Sequence, residues 1–150
     1  QKKKFGKLDF KKFHPLGSLG NKLKTAGDLM LTKSKIPLIH QDQIMKNAIK
    51  ILNLKKLGFL VVINSNGLTT GVFTDGDLKR LIRKKKKIDN LKIKYHMTKK
   101  PLCVDENILA SEALNQMNKY KITNICVYNG KNKQKTIGVL HIHNLLSNLN

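Results

Sequence analysis

Gly71-Val-Phe-Thr-Asp-Gly-Asp-Leu78 occurs a second time in diverged form, as Gly138-Val-Leu-His-Ile-His-Asn-Leu145, 67 residues later. Met30 and Met97 are separated by the same interval, so two segments of the chain match at both ends. Between these ends the interval falls to 65, which requires two extra residues in the loop after Met30 and two in the hairpin after Asn129. Loops accept such insertions and packed elements do not. The chain is therefore predicted to be a tandem repeat of one structural unit.

Each repeat is predicted to be a mixed α/β (α+β) unit of the order β–α–β–β–α. The elements expected in the first repeat are a short strand near 36–40, a helix capped by Asp42, an apolar strand at 59–63, a hairpin at Ser65-Asn-Gly67, a strand at 68–73 and a helix from Thr74 to about Lys84. The second repeat is expected to follow with a helix capped by Asp105, strands at 124–128 and 136–140, and a helix over about 142–149. A unit of about 60 residues buries little apolar surface alone. Two such units are therefore expected to pack sheet to sheet with pseudo-twofold symmetry.

The net charge of +21 raises the question of nucleic-acid binding. Of the 30 basic residues, however, only Arg80 and Arg83 are arginines, and arginine is the residue best suited to bidentate phosphate and base recognition. Aromatic residues that could stack on bases make up only 5% of the chain. The dense run Arg83-Lys-Lys-Lys-Lys87 ends a predicted helix, where cations suit the helix dipole. We interpret the charge as solvated surface, with a basic nucleic-acid-binding module as the weaker alternative.

No apolar run approaches the roughly 20 residues that span a bilayer, and no signal-peptide pattern opens the chain. These features predict a cytoplasmic protein without a membrane partner. Cys103 and Cys126 fall in apolar strand-like runs without metal-type spacing. They are predicted to be reduced core thiols, with a disulfide as the alternative.

The duplication and the Gly-Val-Phe-Thr-Asp-Gly-Asp-Leu junction between strand and helix resemble the tandem CBS-domain pair, also called a Bateman module. The resemblance covers residues 25–150. It implies a regulatory module that binds an adenosyl nucleotide or a related ligand in clefts between the repeats. It also implies a homo-oligomer, at least a dimer.

The junction itself has chemistry suited to a nucleotide. Thr74 stands where a strand passes into a helix, so its hydroxyl and the free N–H groups of the first turn favour phosphate. Asp77 follows one turn later, and a carboxylate can accept hydrogen bonds from both hydroxyls of a ribose. Matching the family's G-x-x-T-x-x-D motif makes Thr74 the phosphate-side group and Asp77 the ribose clamp. The alternative is a capping box of Thr74 and Asp77 that needs no ligand.

The second copy of the motif departs from the first, with His141 in place of the threonine and Asn144 in place of the aspartate. A site built on this repeat therefore loses the charged clamp or prefers another ligand. His141 and His143 could suggest a metal pair, but no further ligand is evident, and no metal is expected. The resemblance implies further ligand contacts at Asp75, Lys35, Ile36, Pro37, Ile122 and Thr123.

The first 24 residues narrow the resemblance. His14-Pro-Leu-Gly-Ser-Leu-Gly20, together with Asp28-Leu-Met30 and Phe73-Thr-Asp-Gly-Asp-Leu-Lys-Arg80, is similar to the C-terminal region of D-arabinose 5-phosphate isomerases. That family joins an N-terminal sugar-isomerase domain to a CBS pair and serves lipopolysaccharide biosynthesis. The resemblance makes His14 an active-site histidine of the parent enzyme, although Leu16 stands where the family has glycine.

The expected organisation is a linker or domain tail at 1–24, a first CBS repeat at 25–91 and a second at 92–150. No sugar-binding domain precedes His14 in this sequence, so the chain alone is not expected to catalyse, whereas its parent is. Two hypotheses follow. In the first, the pair senses a nucleotide or a CMP-sugar and regulates the isomerase; in the second, it binds no ligand and only assembles the enzyme.

Overall fold

The computed structural model describes residues 23–149, which form two β-sheets with helices packed against them. The elements in chain order are α1 (Ala26–Leu29), β1 (Leu38–His40), α2 (Met45–Lys55), β2 (Phe59–Ile63), β3 (Thr69–Thr74), α3 (Asp75–Lys84), β4 (Thr98–Lys99), β5 (Cys103–Asp105), α4 (Ala110–Tyr120), β6 (Asn124–Asn129), β7 (Asn132–His141) and α5 (Ile142–Leu149). The predicted α/β class with two repeated units is confirmed. None of the helices described is long and apolar enough to cross a bilayer.

The two sheets have related strand orders. The first sheet runs β1-β2-β3-β4 and the second runs β5-β6-β7. In each, the short first strand pairs in parallel with the apolar strand, which then pairs antiparallel with the return strand. The hairpin predicted at Ser65-Asn-Gly67 is present, and Gly67 has the positive φ of 78° that its turn requires.

The two repeats exchange segments that lie near their N-terminal ends. Strand β4 belongs by sequence to the second repeat, yet it pairs with β3 in the first sheet. In the same way Leu31, from the first repeat, pairs with Val139 on β7 through hydrogen bonds of 2.8 and 3.0 Å. The side chains of Met97 and Met30 pack against Gly71 and Gly138 respectively. Each sheet is thus completed by the other half of the sequence.

The core has three parts because both faces of the central strands are buried. On β2, Leu60 and Val62 face the helices of their own repeat, whereas Phe59 and Val61 face the other repeat. On β6, Ile125 faces its own helices and Cys126 lies in the core between the repeats. Burial on both faces explains why these strands are continuous apolar runs rather than alternating ones. The cysteine prediction is met in part, since Cys126 is 1% exposed but Cys103 is only half-buried.

The predicted helix caps at Asp42 and Asp105 are wrong. Helix α2 begins after Ile44 and helix α4 after Leu109, and neither of these residues caps its helix with a side chain. Backbone carbonyls of neighbouring segments accept hydrogen bonds from the free N–H groups instead. The carbonyl of Leu91, for example, accepts one from the N–H of Met45 at 2.7 Å. Leu91 is remote from Met45 in sequence, so no local pattern could reveal this contact. Asp42 bonds Lys94 at 2.7 Å instead, which lowers the pKa of the Asp42 carboxyl.

Candidate functional site

A cleft of about 770 Å³ opens where β3 passes into α3. Most of its lining comes from three segments: the junction itself, the stretch 98–103 around β4 and β5, and the stretch 120–124 between α4 and β6. The first belongs to repeat one and the others to repeat two, so the cleft lies between the repeats. Five of the residues predicted to contact a ligand line it: Thr74, Asp75, Asp77, Ile122 and Thr123.

Thr74 and Asp77 form a complete capping box at this junction. The Thr74 hydroxyl accepts a hydrogen bond from the N–H of Asp77 at 3.0 Å, and the Asp77 carboxylate accepts one from the N–H of Thr74 at 3.0 Å. The capping alternative raised by the sequence is therefore realised. Because the same two side chains also line the cleft, capping fixes the position in which they would meet a ligand.

Two further donors converge on the Asp77 carboxylate. Arg80 donates to Oδ1 at 2.6 Å, and the Thr98 hydroxyl lies 3.1 Å from Oδ2. The Asp77 side chain is only 11% exposed, whereas that of Arg80 is 63% exposed. A ribose hydroxyl would therefore have to share the Asp77 carboxylate with these donors. Sequence reasoning missed both; Arg80 could have been found from its place one turn after Asp77, but Thr98 is remote in sequence.

The rim of the cleft carries lysines in a strained backbone conformation. Lys100 and Lys121 line the cleft and have φ angles of 53° and 55°. Lys33 and Lys56 occupy the equivalent places in the first repeat, with φ of 55° and 59°. The left-handed region costs an L-residue about 1–2 kcal/mol, and such residues often cluster at functional sites. Glycine adopts this conformation without strain, so lysine is unusual at these positions. The lysine side chains place positive charge at the mouth of the cleft.

The floor of the cleft is mainly apolar and includes Phe59, Val72, Leu102 and Ile122. A flat aromatic base would bury well against such a surface. Asn124 lies among these groups and donates to the carbonyl of Leu57 at 2.9 Å, an arrangement that holds the two repeats together. Its carbonyl oxygen, Oδ1, is buried and has no hydrogen-bond partner among residues 23–149. The cleft thus combines an apolar floor with a cationic rim.

The remaining predicted contacts do not line this cleft. Ile36 is buried in the core between the repeats, and the carbonyl of Pro37 accepts from the N–H of Val61 at 2.8 Å. Lys35 ends the 3₁₀ turn before them and is exposed. His14 lies outside the described residues.

His141 and Asn144 occupy the places that Thr74 and Asp77 have in the first repeat, but their contacts differ. Asn144 donates to the carbonyl of Leu29 at 2.8 Å, so its side chain serves packing between α5 and α1. The rings of His141 and His143 stack with centroids 5.0 Å apart. Burial, and then the charge of His143, lower the pKa of His141 below 6.5, which favours a neutral imidazole. In residues 23–149 no group of three or more His, Cys, Asp or Glu side chains could hold a metal ion.

Comparisons with known proteins agree with this architecture. A model of the CBS-domain family matches residues 26–84 and 91–150. The arabinose 5-phosphate isomerase KdsD of Yersinia pestis is 36% identical over 143 residues, which are 95% of this chain but only 43% of that protein. The chain therefore spans less than half the length of this relative.

Solved structures show the same fold. The CBS-pair protein CBSX2 of Arabidopsis thaliana, in complex with AMP, superposes with a TM-score of 0.68 at 25% identity, covering 83% of this chain and 94% of that one. A CBS-domain protein of Agrobacterium tumefaciens reaches a TM-score of 0.74 at 18% identity, covering 84% of this chain and 93% of that one.

Proposed function

The chain belongs to the CBS-domain family as a tandem pair, and we propose that the cleft at Thr74 binds a nucleotide or nucleotide-sugar that regulates a sugar-phosphate isomerase. The isomerase would be of the arabinose 5-phosphate type, as in the relative from Yersinia pestis. In this proposal residues 25–91 and 92–150 are the two repeats, and residues 1–24 link them to the isomerase domain. An adenosyl nucleotide, such as the AMP bound by CBSX2, or a CMP-sugar is the class of effector.

The observation that carries the proposal is the division of the cleft into an apolar floor and a charged rim. A base would lie against Phe59 and Ile122, and its phosphate would meet Lys100, Lys121 and the N-terminal end of α3. A nucleotide likewise has a flat, largely apolar base at one end and a charged phosphate at the other. The charge of the rim would also raise the local concentration of anions.

Ligand binding would rearrange the contacts of Asp77. Arg80 is mostly exposed and pairs with Asp77 three residues earlier on the same helix. Because most of the Arg80 side chain is in solvent, a phosphate in the cleft could draw it away from Asp77. The vacated Asp77 oxygen would then accept a ribose hydroxyl. Phosphate and ribose recognition are thereby coupled through one side chain.

The test is calorimetric titration of the full chain with AMP, ATP, CMP and CMP-Kdo at two salt concentrations. We expect saturable one-to-one binding of one ligand that survives the higher salt. Asp77→Asn keeps an acceptor for the Thr74 N–H but removes the charge, so the affinity should fall about 10–100-fold, the value of a charge-assisted hydrogen bond.

A matched control is available in the same chain. Thr25 and Asp28 form the same capping box at α1, outside the cleft. Asp28→Asn therefore makes the same chemical change to a capping box and should leave the affinity unchanged. Equal losses in both variants, or none in Asp77→Asn, would refute the assignment of Asp77.

A second candidate function is assembly of the parent enzyme without a ligand. It is favoured by one observation, that three protein donors already satisfy the Asp77 carboxylate. In that case none of the four ligands would bind at the higher salt. Sedimentation would still show a homo-oligomer, unchanged by added nucleotide.

A further inference from the structure

Cys103 and Cys126 lie directly opposite each other on the parallel strands β5 and β6. Neighbouring strands are about 4.8 Å apart, which falls within the Cα separation of about 4.4–6.8 Å that a disulfide spans. Both cysteines are free. The register therefore places two thiols where a bond between them needs little movement of the backbone.

The two thiols differ in access. Cys103 is half-buried and Cys126 is 1% exposed, and both residues line the cleft. The hydrogen bond from Cys126 lowers the pKa of the Cys103 thiol, whereas that contact and burial raise the pKa of Cys126. Cys103 is thus the thiol that a reagent in the cleft meets first and the one that ionises first.

The cationic rim adds a preference for charge. Arg80, Lys100 and Lys121 line the same cleft as the two thiols. Positive charge at the cleft attracts negatively charged reagents. The same positive charge would attract a small anionic disulfide into the cleft, where it would meet Cys103.

We propose that Cys103 and Cys126 form a thiol–disulfide exchange site that takes low-molecular-weight anionic disulfides. The Cys103 thiolate attacks one sulfur of the disulfide, forming a mixed disulfide and releasing the other sulfur as a thiolate, which takes a proton from solvent. Once Cys103 is neutral in the mixed disulfide, Cys126 attacks Sγ of Cys103 and gives its proton to the departing sulfur, which leaves as the second thiol. Two protein thiols are oxidised and one external disulfide is reduced to two thiols. This chemistry does not depend on nucleotide binding.

The test uses the full chain with oxidised glutathione as the probe, followed by intact-mass measurement. The wild type should lose two hydrogens and retain no adduct. Cys126→Ser should stop at one glutathione adduct, because the second thiol is missing. Cys103→Ser should stay unmodified over the same time, because the remaining thiol is buried.

Controls separate reactivity from misfolding. In denaturant both single variants should take up one glutathione, which shows that each remaining thiol is competent, and circular dichroism should show both folded in buffer. An adduct on Cys103→Ser as fast as on Cys126→Ser, a stable mixed disulfide on the wild type, or oxidation between two chains would each overturn the proposal.

A separate comparison tests the preference for anionic over neutral disulfides. Oxidised glutathione should react faster than the neutral bis(2-hydroxyethyl) disulfide, each rate being taken relative to its rate with the denatured chain. The advantage should shrink in a Lys100→Gln, Lys121→Gln variant. Equal relative rates for both probes with the wild type would overturn the preference for anions.

Discussion

Substitution of Gly138 by alanine tests the exchange of segments between the repeats. An ideal Cβ at Gly138 would lie 2.7 Å from Cγ of Met30 and 3.0 Å from the carbonyl oxygen of Leu31, and closer still to the Met30 sulfur. Most of this overlap is with a flexible side chain that can retract. Overpacking costs about 1–3 kcal/mol, and we expect Gly138→Ala to lie near the lower end, at about 1 kcal/mol.

Gly71 is the symmetry-related position, yet the expected cost differs. A Cβ there would lie 2.6 Å from the carbonyl oxygen of Thr98 and 2.7 Å from the sulfur of Met97. The carbonyl belongs to β4, which pairs with β3 at only two positions, so it cannot move without weakening that pairing. We therefore expect Gly71→Ala to cost about 3 kcal/mol, the upper end of the overpacking range.

Double-mutant cycles measured by urea unfolding, followed by circular dichroism, separate the two cases. Met30→Ala alone should cost about 2 kcal/mol, because Met30 is partly buried. Combined with Gly138→Ala, the added methyl fills vacated space, and the coupling should be favourable by about 1 kcal/mol. The cycle of Gly71 with Met97 should show coupling below about 0.5 kcal/mol, because the carbonyl clash remains.

The reasoning fails if Gly138→Ala costs as much as Gly71→Ala, or if Met30→Ala does not relieve it. Either result would mean that the segment around Met30, at the start of the first repeat, does not pack on β7. The denaturant slope serves as the check on two-state unfolding, since a changed slope would signal an altered unfolded or native state.

Three further predictions concern stability. Thr74→Ala should cost about 1 kcal/mol in urea unfolding through loss of the cap, whereas Thr74→Ser should cost far less, and equal losses would contradict the capping geometry. Met117→Ala should cost about 2–5 kcal/mol because this side chain is fully buried, while the 75% exposed Leu54→Ala should stay within about 0.5 kcal/mol. The pKa of His141 is lowered in the folded state, so the unfolded chain binds more protons below pH 6.5. Stability should be full above that pH and fall as the pH drops through the folded pKa, and His141→Gln should flatten this dependence; an unchanged slope would contradict the assignment.

The sequence predicts the elements whose signals are local. The apolar runs at 59–63 and 124–128, the turn ending at Gly67 and the helix beginning after Thr74 are all confirmed, because burial on both faces, a positive φ and a capping box each leave a mark within a few residues. The mixed α/β class and the duplication follow from them.

The exchanged segments could not be predicted, because their partners are remote in sequence. Nothing near Leu31 indicates pairing with Val139, and nothing near Asp77 indicates contact with Thr98. The wrong caps at Asp42 and Asp105 have the same origin, since carbonyls of distant segments cap those helices. Local sequence patterns predict the individual helices and strands well, but they do not predict the contacts between the two repeats.

The exchange also means that the unit of duplication is not the unit of folding. A piece cut at the boundary between residues 91 and 92 would carry a segment at 25–31 with nothing to pack on, and its sheet would lack the strand at 98–99. An ancestor with a single copy would have lacked the same contacts. Two such chains could have supplied them to each other by exchanging these segments. Fusion of the two genes would then have joined the exchanging chains into one, in which neither half would fold without the other.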